Sequence, residues 1–462
     1  MNTPSPIILD YTLHDLYTAD SEDGLNTVLI YYPLQFGHNH EGTSAKFTYG
    51  YKVEEEDEDA TSSLTMAANL VPQRYAFSAG RMPLVILDVI AQRRLDNESE
   101  GGPQGTDSAP AHHLDIYQTF AQLQPDQRPI VSFANNPDSI ELDLDARIAV
   151  LVPTDCLSHL PHLTCPETHY EILSKRGLAL SGLPTPPSRV IDTILVNHED
   201  PSLLAIETAR MTESIGQRQI PFMVKLPQSI SGMGTFAVTS ETDRTRIKAM
   251  LTTQLGTMLR QLNQTNRHLH PCSLVLQDFV DGPVVALSLF VTKTGQPIFI
   301  ACCEQLFDDH SHWIGGRISY RQQAGFRKTF CALMGKVAAF LHRKGYHGPA
   351  GVDIVIDQHS GEQLVIDLNV RVTGTFNLGP LTGHFTRRGL FEAAMTSGDF
   401  FCTRDAFEEV FSEEIRQGSL IVSGWVHNES RSKSYAAITI GARDYDSLQE
   451  YLERVRAVGL QN

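Results

Sequence analysis

The sequence predicts an α/β (α+β) fold divided into two or three domains. Three observations lead there. At 462 residues the chain is too long for one compact core. Apolar strand-like runs alternate with amphipathic helical stretches through the first 165 residues or so. Two later segments read as hairpins, each a pair of apolar runs around a short polar turn.

In order along the chain, PLVILDVIAQRRL (83–95) reads as a strand leading into a helix, and PIVSFA (129–134) and RIAVLVPT (147–154) as buried strands. The polar, Gly- and Pro-containing segment 94–113 and the acidic run 54–59 read as surface loops. ETHYEILSKRGLALSG, from Glu167, carries Tyr170, Leu173 and Leu178 on one helical face and ends at SGLPTPPS. DTILV (192–196), PFMVKL (221–226) and SLVLQDFV (273–280) read as strands, and residues 242–264 and 326–345 as helices. The hairpins are 286–307, turning at 293–296, and 351–371, turning at 359–362. Two strands and a helix starting near Asp446 close the chain.

Composition bounds the function. The formal net charge of −17 argues against a nucleic-acid-binding surface, so an anionic ligand needs a local cluster of Lys and Arg. No apolar run has the length of a membrane span and no secretory signal is expected. Seven cysteines, an odd number without a CxxC pair, suit reduced thiols and a cytoplasmic location.

Three stretches carry chemistry. In GVDIVID…LVIDLNVR, period-2 alternation sends Asp367, Asn369 and Arg371 to one face, and pairing across the hairpin brings Asp353 beside them. Two carboxylates and an amide oxygen form a hard donor set suited to Mg²⁺, and a guanidinium next to it suits an anion. VKLPQSISGMGTF sets Lys225 at a strand end before a small, glycine-rich loop, 231–236, able to close over phosphates. It is not a P-loop, because the lysine precedes the glycines. Lys175 follows in SKRGLALSGLPTP, where alone it would be a solvated helix residue. The run Cys156, His159, His162, Cys165, His169 is interrupted by Pro161 and Pro166; it reads as a linker in preference to a zinc site. Cys302 and Cys303 read as core.

The order of these stretches resembles the ATP-grasp superfamily over roughly residues 168–385. A first lysine, a second lysine with its loop, the hinge strand LQDFVDG and an acidic–acidic–Asn–Arg set follow one another as in that family. The resemblance implies a pre-ATP-grasp, Rossmann-like domain over 1–167, an ATP-grasp domain over 168–399 with its lid near 190–276, and a small C-terminal unit over 400–462. It implies that Lys175 and Lys225 bind ATP phosphates, with Ser231, Gly232, Met233 and Gly234 in the closing loop. It places adenine at the backbone of Gln277, Asp278, Phe279 and Val280. It gives Asp353, Asp367 and Asn369 to Mg²⁺, with Mn²⁺ as an alternative, and assigns Arg371 and Asn369 to catalysis. Three positions depart from the family pattern. Gln277 stands where Glu is common, Val284 lies near the usual acidic ribose contact (Asp281 is another candidate), and both metal carboxylates are Asp.

The expected activity is ADP-forming ligation of a small carboxylic acid to an amine through an acyl phosphate. A small-molecule kinase and a non-catalytic ATP-binding scaffold are the alternatives. The implied partners are ATP, the acid and the amine, with no nucleic acid and no membrane, and a homodimer as a permitted assembly. Substrate-side contacts are expected from Arg317, in the segment 308–320 that also holds His310, His312 and Trp313, and from His384 in LGPLTGHF.

Overall fold

In the computed structural model the described residues are 6–21, 26–32, 45–49, 66, 69–87, 111–195, 200–229, 234–307 and 313–460. The acidic run 54–59, residues 94–110 of the expected loop 94–113, the loop residues Ser231, Gly232 and Met233, and His310 and His312 lie outside them.

Strands β1 (Thr27–Ile30), β2 (Pro83–Leu87), β3 (Ile130–Ala134) and β4 (Arg147–Val150) form a four-stranded sheet in the order β3-β2-β1-β4. The three pairings within it are parallel. Parallel strands need crossover connections, which is why they are well separated in sequence.

A second four-stranded sheet is antiparallel, in the order β5-β8-β6-β7, from Ser188–Asp192, Phe222–Lys225, Thr235–Val238 and Ser273–Asp278 (β5 to β8 in chain order). Helices Pro201–Gln217 and Glu241–Arg260 cover it and bury Met211, Ile215, Leu251 and Leu255 against Phe222, Val224 and Leu276. Glu241–Arg260 begins where Ser240 caps Asp243, with two acidic residues in its first turn. The expected strand 192–196 lies earlier in the chain, at Ser188–Asp192, and the helix Pro201–Gln217 had no clear periodic signal.

The largest sheet has eight strands. β9 (Val284–Val291), β10 (Pro297–Phe307), β11 (Trp313–Ser319), β12 (Gly348–Ile356), β13 (Gln363–Asn369), β14 (Glu392–Phe400), β15 (Leu420–Asn428) and β16 (Lys433–Ala442) run in the order β13-β12-β9-β10-β11-β14-β16-β15. Both expected hairpins are present as β9–β10 and β12–β13. Trp313–Ser319, expected as a loop, is a central strand. The closing strands β15 and β16 continue this same sheet through β14.

The alternation of β9, β12 and β13 sorts their side chains. Leu287, Leu289, Val352, Ile354, Val365 and Leu368 pack on one face against Val337, Ala338 and Leu341 of helix Cys331–Arg343. The intervening residues face the other way. A separate core joins the parallel sheet to the large one through Phe77, Leu84, Phe120, Phe376, Phe385, Met395 and Ile421. Among the described residues no helix is long and apolar enough to cross a membrane.

Candidate functional site

The polar face of β12 and β13 opens into a cavity of about 420 Å³ beneath the antiparallel sheet. Its lining includes Lys175, Lys225, Asp353, Asp367, Asn369 and Arg371, six of the residues singled out in the sequence. Asp353 stands directly opposite Asp367 across the hairpin, and Gly351 opposite Asn369. Gly351 is required by close approach, since a Cβ there would lie 2.2 Å from Thr373 Cγ2.

The two lysines arrive by different routes. The stretch expected as one helix is two, Pro166–Leu173 and Lys175–Ala179. Ser174 breaks the chain into an extended conformation and caps the second helix, its Oγ accepting from Gly177 N at 2.7 Å. Lys175 N donates to Pro227 O at 2.8 Å, tying this turn to the end of β6. Lys175 Nζ then meets Asp367 Oδ1 at 2.5 Å. Lys225 is the last residue of β6, is buried, and donates from Nζ to Ile366 O at 2.7 Å.

Burial and mutual charge set the protonation of this group. Burial first, and then the facing Asp367, push the Asp353 carboxyl up to about 7. Burial acts in the same sense on Asp367, but Lys175 and then Lys225 outweigh it and hold that carboxyl below its ordinary value. Burial depresses Lys225 to about 8, with Lys175 adding to the effect and both aspartates opposing it. An ionised Asp353 is therefore poorly compensated. Two facing carboxylates and the Asn369 oxygen form an oxygen set that fits a divalent cation.

Arg371 donates to Asn369 Oδ1 at 3.1 Å. The preceding residue is held by His169, whose Nε2 lies 2.7 Å from Val370 O and whose burial lowers its pKa to about 4, so the neutral ring donates that bond. His162 bonds instead to Leu157 O at 2.9 Å. Among the described residues no three His, Cys, Asp or Glu side chains gather as a metal group.

Other expected residues stand apart from the cavity. Gln277 is buried in β8, where its Nε2 donates to Ser188 Oγ at 3.1 Å. Asp278 pairs with Arg218 at 2.5 Å, and its N donates to Pro187 O. Phe279 and Val280 begin the connection to β9. Asp281 is occupied by Gln358 Nε2 at 2.6 Å. Gly234, at φ +88°, closes a turn through Leu226 N to its carbonyl, and Thr235 beside it lines the cavity.

Arg317 and His384 are not brought to the cavity. Arg317 pairs with Glu304 and lies 4.1 Å over the Tyr445 ring. His384 is 1% exposed, with Nε2 2.8 Å from Gly418 O and burial lowering its pKa to about 4. A residue the sequence did not offer also lines the cavity: Tyr75, from the helical residues 69–76, together with Trp313, Gln305 and Thr375. Burial alone would raise the Tyr75 hydroxyl, yet Arg74 and Arg371 beside it bring it below its ordinary value.

A family model described as an ATP-grasp domain matches residues 235–375. That stretch of the chain is similar to the ATP-grasp family. The match includes Asp353, Asp367, Asn369 and Arg371, and Lys175 and Lys225 precede it. The fold is shared with the ADP complex of an N5-carboxyaminoimidazole ribonucleotide synthetase (TM-score 0.51, 11% identity, 94% of this chain and 96% of that one). An L-amino acid ligase from Bacillus licheniformis aligns over 94% of this chain and 98% of its own at 11% identity, with a TM-score of 0.47. A phosphoribosylamine–glycine ligase from Thermotoga maritima does so over 94% and 96% at 10% identity, with a TM-score of 0.44. No curated protein sequence matches this chain. Lys175, Lys225, Asp353, Asp367, Asn369 and Arg371 thus line one cavity in a fold shared with that synthetase.

Proposed function

We propose that this ATP-grasp protein is an ADP-forming ligase that joins a small carboxylic acid to an amine. One observation carries the reading: Lys175, Lys225, Asp353, Asp367, Asn369 and Arg371 converge on one cavity. Lys225 and Lys175 bind the nucleotide's phosphates, and a phosphate replacing Asp367 on Lys175 leaves that carboxylate to a cation. Asp353, Asp367 and Asn369 would hold Mg²⁺, which would supply neutralisation of the phosphate charge.

The substrate carboxylate attacks the terminal phosphorus of ATP. An acyl phosphate forms and ADP leaves. Attack by the amine then expels phosphate and completes the C–N bond. Arg371 stabilises the charge on the transferred phosphoryl group and on the oxyanion formed in the second step. The work is positioning and neutralisation, which suits a site whose cations outnumber its fully ionised acids.

The test is ADP and phosphate release measured against pools of carboxylic acids with and without amines, followed by product mass. Phosphate release that needs both an acid and an amine, and is lost in Asp367→Ala, supports the ligase. ADP formation with phosphate retained on an organic product would make the protein a kinase instead.

A further inference from the structure

The lining of the cavity changes character across the large sheet. On β13 and β12 it is charged and polar, with Asp367, Asn369 and Asp353. On β9 it is small and neutral, Ala286 standing beside Asp353 and Ser288 beside Gly351. At the β10–β11 pair it becomes Gln305, Phe307 and Trp313. Phe307 and Trp313 lie directly opposite one another there, and Phe307 is 52% exposed. Tyr75, from outside the sheet, is the third ring of the lining. Among the described residues β10 and β11 give the lining no charged side chain.

The rings are fixed in place. Trp313 reaches from β11 to the segment that follows β13, where a Cβ on Gly374 would lie 2.5 Å from its Cη2. That segment crosses the sheet. Thr373 fills the space over Gly351, with Oγ1 3.1 Å from Ser288 Oγ, and Thr375 fills the space over Gly316. Residues 373–375 all line the cavity. Arg74 is not a lining residue, so it holds two of the rings from the protein side. Its guanidinium carbon lies 4.6 Å over the Tyr75 ring and 5.4 Å over Trp313. Its Nη2 donates to Tyr75 Oη at 2.8 Å and its Nη1 to Ser397 Oγ at 3.3 Å, while Asn377 Nδ2 donates to its carbonyl at 2.6 Å. Three rings braced in this way at a cavity wall lose contact with water only when a ligand covers them, and a flat apolar group covers them best.

We propose that the acid this protein activates carries an aromatic ring, and that the ring packs on the wall formed by Tyr75, Phe307 and Trp313. The carboxylate reaches the transferred phosphoryl group beside Arg371. The rest of the molecule lies along residues 373–375, the segment that leads from Arg371 to Trp313. This deepens the ligase reading and rests on it. Two other flat groups could cover the same wall, the adenine of ATP and the ring of an aromatic amine. In the ligase reading adenine belongs to the connection from β8 to β9, and the amine enters only after the acyl phosphate has formed. The experiment separates all three.

Full-length protein at pH 8 is titrated in a calorimeter with propionate, hexanoate and 3-phenylpropionate, with and without Mg·ADP, and separately with ethylamine and 2-phenylethylamine. Trp313→Leu and Phe307→Leu are run alongside, with melting temperatures to confirm folding; Phe307 is half-exposed, so its variant keeps the fold. The expected result is that 3-phenylpropionate binds the wild type about tenfold or more tightly than either aliphatic acid. That preference should shrink to about threefold or less in Trp313→Leu and should narrow in Phe307→Leu, with Mg·ADP affinity unchanged within about twofold. The proposal is overturned if hexanoate binds as tightly as 3-phenylpropionate, or if the folded variants keep the full preference. It is also overturned if only the amines show a preference for the ring, which assigns the wall to the amine. Loss of Mg·ADP affinity in Trp313→Leu overturns it too and assigns the wall to adenine. If the ring preference holds and no pair of acid and amine releases ADP and phosphate, the wall stands and the ligase reading falls. If such a pair does release them and no acid shows the preference, the ligase reading stands and the wall falls.

Discussion

Asp353→Asn should make the protein more stable and less active at once. Asp353 faces Asp367 across the hairpin, and its pKa is raised from 3.8 to about 7 by burial and by that neighbour. At about 1.4 kcal/mol per unit, this rise makes the ionised form cost about 4 kcal/mol in the folded chain. Exposure through the cavity mouth screens part of it, so about 2 kcal/mol is the working figure. The sign follows from proton binding. Between pH 3.8 and about 7 the folded chain keeps a proton that the unfolded chain has released, so wild-type stability falls as pH rises through that window. Asn carries no charge at any pH. Its advantage over the wild type should therefore widen from pH 4 to about 7 and stay level above it. Urea denaturation in EDTA at pH 5 and pH 8 reads this gap. Repeating it with saturating Mg·ADP should reverse the order, because only the wild type gains the full binding free energy. A variant no more stable than the wild type at pH 8, with the same gain from Mg·ADP, would refute both the strain between the carboxylates and the metal assignment.

Arg371→Ala should lose at least about two orders of magnitude in turnover with little change in the KM for ATP, and Arg371→Lys should be partly active; steady-state kinetics decides. Lys225, held at about 8, should gain a proton when phosphate binds beside it, so ADP binding at pH 8.5 should take up protons. Calorimetry in buffers of differing ionisation enthalpy measures that uptake, which Lys225→Met should abolish along with about tenfold of ADP affinity. Gly282→Ala would set a Cβ 1.9 Å from Ile356 O in the connection between β8 and β9. A urea titration should show about 1–3 kcal/mol of lost stability, the usual range for overpacking.

What the sequence made legible is local. The opposed carboxylates follow from strand alternation and one short turn, and Lys225 from its place at a strand end. The break at Ser174 was concealed because the residues on both sides keep helical composition, and only the serine's capping bond to Gly177 ends the first helix. Trp313–Ser319 hid behind Gly315 and Gly316, which look like a turn. Each is needed for close packing instead, a Cβ meeting Met395 O at 1.8 Å or Thr375 Cγ2 at 2.4 Å. Arg74 and Tyr75 had no spacing to betray them. Arg74 reaches Ser397 and Trp313, which come from elements that only the folded chain brings near it. His384 shows the converse. A lone histidine in a glycine-rich stretch suggested a substrate contact, and it is instead a buried bond to the Gly418 carbonyl.

The sheet order also bears on how the protein is made. β11 gains its outer neighbour only when β14 has emerged, and β14 is then covered by β16. Gln73, in the helical residues 69–76, finds the backbone of Trp425 only 352 residues later. At the usual pace of about 5–20 residues per second, a ribosome needs roughly 20–70 s to cover that distance. Throughout that interval the amide of Gln73 lacks its final acceptor, and from the completion of β11 at Ser319 until β14 emerges the edge of β11 is open to other strands. A nascent chain stalled before residue 392 should therefore be a client for chaperones that shield unpaired β edges, even though its parallel sheet and its antiparallel sheet are already complete.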